Sequence, residues 1–583
     1  MKLIRRFLCA LLALALLGAL GAWGIWYAFQ QNAAFFVPEE EKPELFAGKN
    51  VMVFAPHEDD ELNLFGGLFE EYIACGSRVT VVFLTNGDMY VPRETRLSEA
   101  ISALAAVGVA EENIVFLGYG DGYNKYHLYN ADGGERMISL AGYMETHGLP
   151  SHPAYVEEHE YTKRNMIDDI KSVIRSELPD LIFCNDCDPH VDHIACSLAF
   201  EQAMGELLAE LPDYRPAVLK GYAYDGAFYN QNDFYAPNLL STVSSAEEDA
   251  VDGGYYSWRD RIRLPVDAAS LSRSLYGCSL YKAAKFHASQ NAADHAVSMI
   301  NGDKVFWQRN TSSLCYGAEI RASSGDASCL TDFRLRDSSD VYAEKLCVRG
   351  GAWVPEEGDT EKWAEVLFPS ETTISTLCLY GTCPDVGTVS ACEILLSDGS
   401  RYGTGAVSPA GTEISLGEEK TVTGFRVKLL QTSSALAGLT EVEAYITRTK
   451  EAFPFVKLQD AAGNFVYDWM LPDKCEDAVF SVFSSGWQET PEYTVHCDGA
   501  DCSAAPEGNS ILVHCPKGSA CILTLEEAST GRKDSVRISN PGWLPRLGQQ
   551  LEAEWTSFIL NTWRGSQAED YTMRFLNKIG NNS

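Results

Sequence analysis

Between Lys49 and Phe228 the chain repeats one pattern that few folds can satisfy: a short apolar run, then a longer amphipathic stretch, then another short apolar run. The segments VMVFAP (51–56), VTVVFLT (79–85), NIVFLG (113–118), DLIFCND (180–186) and VLKGYAY (218–224) have the length and composition of strands. Between them, TRLSEAISALAAVG (95–108) and NMIDDIKSVIRSEL (165–178) carry apolar residues at three- and four-residue intervals, with Ile167, Ile170, Val173 and Ile174 on one face. Strand and helix in alternation predict an α/β domain built on a parallel, Rossmann-like sheet covered on both faces. Ligands collect at the carboxyl ends of the strands in such sheets, so the residues just after each strand are where chemistry is expected.

Two of those strand ends are unusual. The first runs into PHEDDE (56–61), with His57, Glu58, Asp59, Asp60 and Glu61 in one strand-to-helix loop, and the fourth into NDCDPHVDH (185–193), with His190 and His193. Nine of the eleven histidines precede residue 300 and none lies between 296 and 495, which puts histidine-dependent chemistry in the α/β domain. Adjacent carboxylates repel one another, so an acidic loop beside a histidine is explained by a cation. Imidazole and carboxylate from separate strand ends are ligands that zinc takes, and three protein ligands leave a position open. The bland alternatives are a solvated acidic loop and surface histidines. A zinc finger from Cys184, Cys187, His190 and His193 is disfavoured, because the four are only three residues apart in series and leave no finger loop.

On these two motifs the segment 49–310 resembles the PIG-L/LmbE family of zinc-dependent N-acetylglucosaminyl deacetylases. The family's HPDDE and HPDH stand here as His57-Glu58-Asp59-Asp60-Glu61 and His190-Val191-Asp192-His193, with Glu58 and Val191 in place of the prolines. Supporting pieces are TNGD (85–88), Arg96 with Glu99, LGYGDG (117–122) and HASQ (287–290) ahead of GDKVFWQR. The resemblance implies Zn2+ held by His57, Asp60 and His193, with Asp59 as general base and His190 facing the acetamide as imidazolium or N–H donor. It further implies that Asp121, and with it Arg96, meets sugar hydroxyls. Asp121 equally suits a turn or a helix N-cap, Arg96 an ion pair with Glu99 one helical turn on, and His287 the core.

Beyond about residue 320 the helical period fades into short alternating runs. AEVLFP, TLCLYG, CEILLSDGS, FRVKLLQ and TEVEAYI predict a β-sandwich over 323–450, weakly similar to discoidin-like (F5/8 type C) or family-32-like carbohydrate-binding modules. A second, Ig-like sandwich is expected over 451–540, simply as a spacer, and a closing amphipathic helix within 541–583. At the other end, Phe7 to Phe29 is an uncharged run of 23 residues after Lys2, Arg5 and Arg6, which predicts a signal anchor (1–30), then a linker (31–48), with the acidic body carried across the membrane. A cleaved signal is the alternative. The net charge of −35 argues against a nucleic-acid partner, since phosphate binding needs a basic face. Seventeen cysteines, among them Cys497 with Cys502 and Cys515 with Cys521, make disulfides plausible in an exported protein.

The expectation is therefore a membrane-anchored, extracytoplasmic zinc deacetylase (deacetylase domain 49–320) acting on an N-acetylated amino sugar of a glycolipid or surface polysaccharide. Its rivals are a surface glycan-binding protein whose α/β domain is inactive and a zinc hydrolase of another amide.

Overall fold

The computed structural model describes residues 2–32, 47–122, 128–129, 134–188, 190–224, 241–242, 250–251, 254–267, 278–294, 299–335, 351–448, 455–484, 492–528, 531 and 533–551. The first element, α1 (Lys2–Asn32), is a 31-residue helix. Its side chains are described over residues 9–24, all exposed, with Leu12, Leu14, Leu17 and Leu20 each more than half so. Among the described residues no helix is long and apolar enough to cross a membrane. The linker expected over 31–48 lies almost wholly outside the described residues.

The α/β domain follows the predicted alternation closely. Its elements are β1 (Asn50–Ala55), α2 (Asp60–Phe65), α3 (Phe69–Ala74), β2 (Arg78–Thr85), α4 (Arg93–Ala106), β3 (Ile114–Tyr119), α5 (Lys163–Glu177), β4 (Leu181–Asn185), α6 (Val191–Glu210) and β5 (Ala217–Gly221). A two-residue ladder, β6 (Ala250–Val251) with β7 (Tyr256–Ser257), precedes β8 (Ile262–Pro265), α7 (Ser279–Ala284) and β9 (Asp303–Arg309). The sheet order is β3-β2-β1-β4-β5-β9-β8. The first five strands are parallel, and β9 and β8 add an antiparallel edge that the strand–helix alternation did not signal. One face packs Val51, Val53, Phe65 and Phe183 under α2, α3, α4 and α7; the other packs Met52, Phe54, Ile170 and Phe200 under α5 and α6. Because both faces are covered, β1 and β4 are apolar along their length rather than alternating. Helix α6 is buried nearly all round, so it lacks the one-sided stripe by which a surface helix is recognised.

The next unit is one six-stranded sheet of β10 (Glu319–Ala322), β11 (Trp363–Gly381), β12 (Val389–Leu396), β13 (Arg401–Thr404), β14 (Thr412–Thr432) and β15 (Leu439–Tyr445). The order is β10-β11-β14-β12-β13, with β15 on the far part of β11. The two long strands change register between Leu367 and Thr372 and again between Ile374 and Thr376, and inward residues such as Val366, Leu377, Ile394 and Val427 gather into a single core.

Then come β16 (Val456–Gln459), β17 (Asp468–Met470), β18 (Asp477–Ser484), β19 (Tyr493–Asp498), β20 (Ser503–Glu507), β21 (Ser510–His514), β22 (Ala520–Glu527) and β23 (Lys533–Ser539). They form two four-stranded sheets, β16-β18-β21-β20 and β17-β23-β22-β19, around Leu458, Val513, Leu523 and Val536. This unit is docked on the α/β domain rather than held off it as a spacer. Phe465 and Tyr467 join the α/β core, and the Tyr467 hydroxyl donates to Gly302 O at 2.6 Å while accepting from the Val266 N–H at 2.9 Å. Residues 543–551 are helical; Trp555, Phe558 and Ile559 of the expected closing helix lie outside the described residues.

Candidate functional site

The two motif loops follow β1 and β4, which are hydrogen-bonded neighbours, so both loops emerge at the same edge of the sheet. After β1 the chain turns tightly: His57 O accepts from the N–H groups of Asp59 (3.1 Å) and Asp60 (3.3 Å), and Asp60 Oδ2 accepts back from the His57 N–H at 3.0 Å. Asp60 starts α2. After β4, Asp188 Oδ1 accepts from the His190 N–H at 3.0 Å, and His190 is the N-cap of α6, its Nδ1 accepting from the Asp192 N–H. His193 is thereby fixed in the first turn of α6.

These turns bring three donor atoms together from two loops. His57 Nδ1 lies 3.1 Å from Asp60 Oδ2 and 3.1 Å from His193 Nε2, and His193 Nε2 lies 2.9 Å from Asp60 Oδ2. Ligand atoms at ~2.0–2.2 Å from a tetrahedral zinc are spaced by roughly 3.3–3.5 Å, so the donor set and its spacing fit such an ion after a small expansion. The outer nitrogens are held by carboxylates: His193 Nδ1 by Asp188 Oδ2 at 2.7 Å, and His57 Nε2 by Asp192 Oδ2 at 3.0 Å and Asp121 Oδ1 at 3.2 Å. A carboxylate on the outer N–H is what leaves the inner nitrogen of a ligating histidine with its lone pair free. Asp60 Oδ1 is buried without a hydrogen-bond partner among the described residues, a costly state that a cation relieves. Two overlapping groups, His57 with His190 and His193, and His57 with Asp121 and Asp192, also have ligand atoms within 4.8 Å of one another.

The electrostatics agree with a place that attracts positive charge. Burial pulls the His193 pKa down, but Asp188 and Asp60 outweigh it and push it up to about 9. Burial opposes ionisation of Asp60, yet His193 and His57 hold its carboxyl well below the usual range. Asp59 is pushed up to about 6, by burial first and by Asp60 second, with Arg96 opposing. Burial, then His57 and His193, lower His190 to about 4, so its neutral N–H form prevails over the imidazolium. Asp59 is also the loop carboxylate with most access: its side chain is 12% exposed, against 0% for Glu58, Asp60 and Glu61.

Arg96 is placed differently from the expected pair with Glu99. Its guanidinium is buried among Asp121 (3.2 Å), Asp59 (3.2 Å) and the Glu58 carbonyl (3.1 Å), while Glu99 accepts from the Ser289 N–H and hydroxyl. The approach depends on Gly87 of the TNGD segment, at φ +65°, where a Cβ would fall 2.7 Å from both Arg96 Cδ and Glu58 Oε2. Asp121 bridges Arg96 and His57, with Asp88 Oδ1 accepting from its N–H at 2.9 Å. His287 is a core residue, as expected, paired with Glu61 at 2.7 Å. Asp188, Asp192 and Tyr224, whose ring lies 4.5 Å from that of His193, were not singled out in the sequence. The two aspartates stood inside NDCDPHVDH, and a carboxylate within five residues of a ligating histidine was the available signal. A cavity of about 360 Å³ lined by Arg261, Trp307 and Arg448 lies where the α/β sheet meets the β units and shares no residue with this cluster.

No curated protein sequence matches the chain significantly. Among solved structures, N,N'-diacetylchitobiose deacetylase from Pyrococcus horikoshii is similar at 20% identity over 33% of this chain and 66% of that one, with a TM-score of 0.22. The zinc-inhibited form of teicoplanin deacetylase Orf2 is similar at 16% identity over 44% and 97% of the two chains, TM-score 0.27. The family 32 carbohydrate-binding module of C. perfringens NanJ is similar at 11% identity over 22% and 92%, TM-score 0.18. At TM-scores below 0.5 none of these likenesses bears on the chemistry of this chain. Residues 52–204, which supply every side chain of the His57–Asp60–His193 cluster and its supports, match the family model described as PIG-L: GlcNAc-PI de-N-acetylase, so the chain carries a PIG-L family domain.

Proposed function

We propose that the protein is a zinc-dependent hydrolase that removes the acetyl group from an N-acetylated amino sugar, carried on a glycolipid or surface polysaccharide. The observation that carries this reading is the convergence of His57 Nδ1, Asp60 Oδ2 and His193 Nε2 within 3.1 Å of one another, beside the buried Asp59. A divalent cation bound by these three residues supplies Lewis acidity toward an amide oxygen and makes water a stronger acid at neutral pH. Asp59 accepts the proton from the attacking water and returns it to the departing amine, a task suited to a carboxyl pushed up to about 6. His190 donates its N–H to the oxygen that gains charge as the carbonyl becomes tetrahedral. Asp188, Asp192 and Asp121 hold the outer N–H groups of the two ligating histidines, which fixes the ring orientation in which the inner nitrogens would bind the cation in place of a proton. Asp121 and Arg96 are assigned to the sugar hydroxyls: their mutual ion pair and the His57 contact leave lone pairs on Asp121 unused.

The remainder of the reading concerns place. The apolar run Phe7–Phe29 within α1 holds the protein at a membrane with the acidic body on the far side, and the unit over 323–450 binds glycan near the site. Acetate release from purified, zinc-loaded protein across a panel of N-acetylated amino sugars, glycolipids and surface polymers tests the activity, with His193→Ala as the control. Release from no member of the panel, or equal release by His193→Ala, overturns it. Protease added to intact cells tests the location, and a body protected until lysis refutes it.

A further inference from the structure

The docked β unit holds a second cluster of metal-binding side chains, more than 300 residues from the first. Cys497 and Cys502 bracket the turn from β19 to β20, and Cys515 and Cys521 bracket the turn from β21 to β22. The strands set the four against one another. Ser503 pairs with His514, which places Cys502 opposite Cys515 just beyond the last rung of that ladder. Cys497 pairs with Leu523, which makes Cys521 its diagonal neighbour on the same face. The two pairs belong to different sheets, since β20 and β21 lie in one and β19 and β22 in the other.

The sulfurs form one connected group. Cys502 Sγ lies 3.5 Å from Cys515 Sγ, Cys521 is in side-chain contact with both Cys497 and Cys502, and all four are free thiols. Both turns are built to stay close. The Cys502 N–H donates to Gly499 O (3.2 Å) and the Ser519 N–H to Pro516 O (3.0 Å). At Gly499 any Cβ would fall 2.6 Å from Cys521 Cβ, so only glycine lets the first turn pass over the second. Cys515 and Cys521, with Cys497 and Cys502 packed against them, line the apolar core of this unit as Cys196 and Cys278 line the α/β cores. What sets the four apart is their convergence at the mouths of two facing turns: structural zinc sites typically pair cysteines across two to four residues, Cys497-x4-Cys502 falls in that range and Cys515-x5-Cys521 is one residue longer, and sulfurs stand roughly 3.8 Å apart around Zn–S bonds of ~2.3 Å.

We propose that Cys497, Cys502, Cys515 and Cys521 bind a structural divalent metal, most readily zinc, that clamps the two sheets of this unit together. Binding releases the four thiol protons to solvent and involves no change of oxidation state, and with no open position the ion takes no part in hydrolysis.

Cobalt(II) loading of the reduced full-length protein is the test. A tetrathiolate gives intense near-ultraviolet sulfur-to-cobalt charge transfer and strong visible ligand-field bands, which a site of two imidazoles and a carboxylate does not. The bands are expected in the wild type and, undiminished, in His193→Ala, so the result does not depend on the hydrolase reading. By elemental analysis Cys502→Ser should bind one zinc fewer than wild type. If that variant does not fold, the cobalt spectra of the wild type and His193→Ala decide alone. Absence of the charge-transfer bands, an unchanged zinc content in Cys502→Ser, or 497–521 and 502–515 disulfide-linked peptides from protein purified without oxidant would each overturn the assignment.

Discussion

Replacing Asp188 by Asn tests the proposed metal centre through a residue that would not touch the metal. Asp188 is 2% exposed and serves three donors: Oδ2 accepts from His193 Nδ1 (2.7 Å) and the Tyr224 N–H (3.1 Å), and Oδ1 from the His190 N–H (3.0 Å). An amide of the same shape has one acceptor oxygen where the carboxylate has two. If its NH2 takes the Oδ2 position it meets His193 and Tyr224 as a donor, and His193 can satisfy it only by moving its proton to Nε2, the atom aimed at Asp60 and His57. If its NH2 takes the Oδ1 position, the His190 N–H is left facing a donor. Loss of such an outer carboxylate costs about 10–100-fold in metal affinity, which is about 1.4–2.7 kcal/mol. Competition with a chromophoric chelator measures this directly, and acetate release at saturating zinc should recover in part. Asp188→Ala strands all three donors, each costing ~1–3 kcal/mol if it stays dry, so it should also lower the thermal stability of metal-free protein. Zinc affinity in Asp188→Asn within twofold of wild type would mean that His193 is not a ligand through Nε2, and the assignment of the centre would fall with it.

Three further outcomes are expected. Asp59→Asn should keep its zinc and lose about 10²–10⁴-fold in kcat, since it removes the base and none of the ligands; metal analysis showing zinc lost would mean that the roles of Asp59 and Asp60 are exchanged. Glu206 on α6, despite partial burial, is pulled down to about 2 by Arg164 and Lys171 on α5, at 2.8 and 2.7 Å, so its stabilisation is full above the ordinary value of 4.5 and is lost as pH falls toward 2. Urea midpoints should therefore fall less steeply over that window in Glu206→Gln than in wild type, by a modest amount because the pair is partly exposed. Binding of the full chain to an insoluble acetylated polymer should survive metal removal while acetate release stops; release of the protein by the chelator would place polymer binding in the catalytic cleft and not in the 323–450 unit.

Deleting both β units would not separate polymer binding from catalysis, and the reason lies in the packing. Phe455, Phe465 and Tyr467 of the last unit are part of the α/β core, and Arg309 of β9 donates to the carbonyl of Phe333, which lies between β10 and β11 of the middle unit, so removing these units would strip the catalytic domain's own interior. Their strand patterns were readable because each strand alternates or runs apolar over its own few residues. Their docking was not: it rests on pairs such as Tyr467 with Gly302 and Arg263 with Gly463, separated by 165 and 200 residues, and nothing local marks either partner.

The same distinction runs through the candidate centre. His57, Asp59, Asp60, His190 and His193 were legible because they sit in two loops and each loop ends a strand, a placement that follows from the strand–helix alternation. Arg96 was misjudged because Glu99, one helical turn on, is the acid that helix geometry offers it, whereas Glu58 and Asp121 reach it only once β1, β2 and β3 lie side by side. Local ion pairs on a helix are worth only ~0.2–0.5 kcal/mol, and burial changes which contact wins. A guanidinium 6% exposed has to be satisfied by whatever acids are buried with it, and the acidic loop after β1 supplies them. That loop in turn needs more positive charge than Arg96 provides. Glu61 is met on one oxygen by His287 and Asp59 by Arg96, yet Asp60 Oδ1, Glu61 Oε2 and both Glu58 carboxylate oxygens have no hydrogen-bond partner among the described residues, beside two imidazoles already drawn toward protonation. The sequence motif and the unmet charge thus point to the same cation from independent directions, one from residue spacing and the other from the cost of burying acids together.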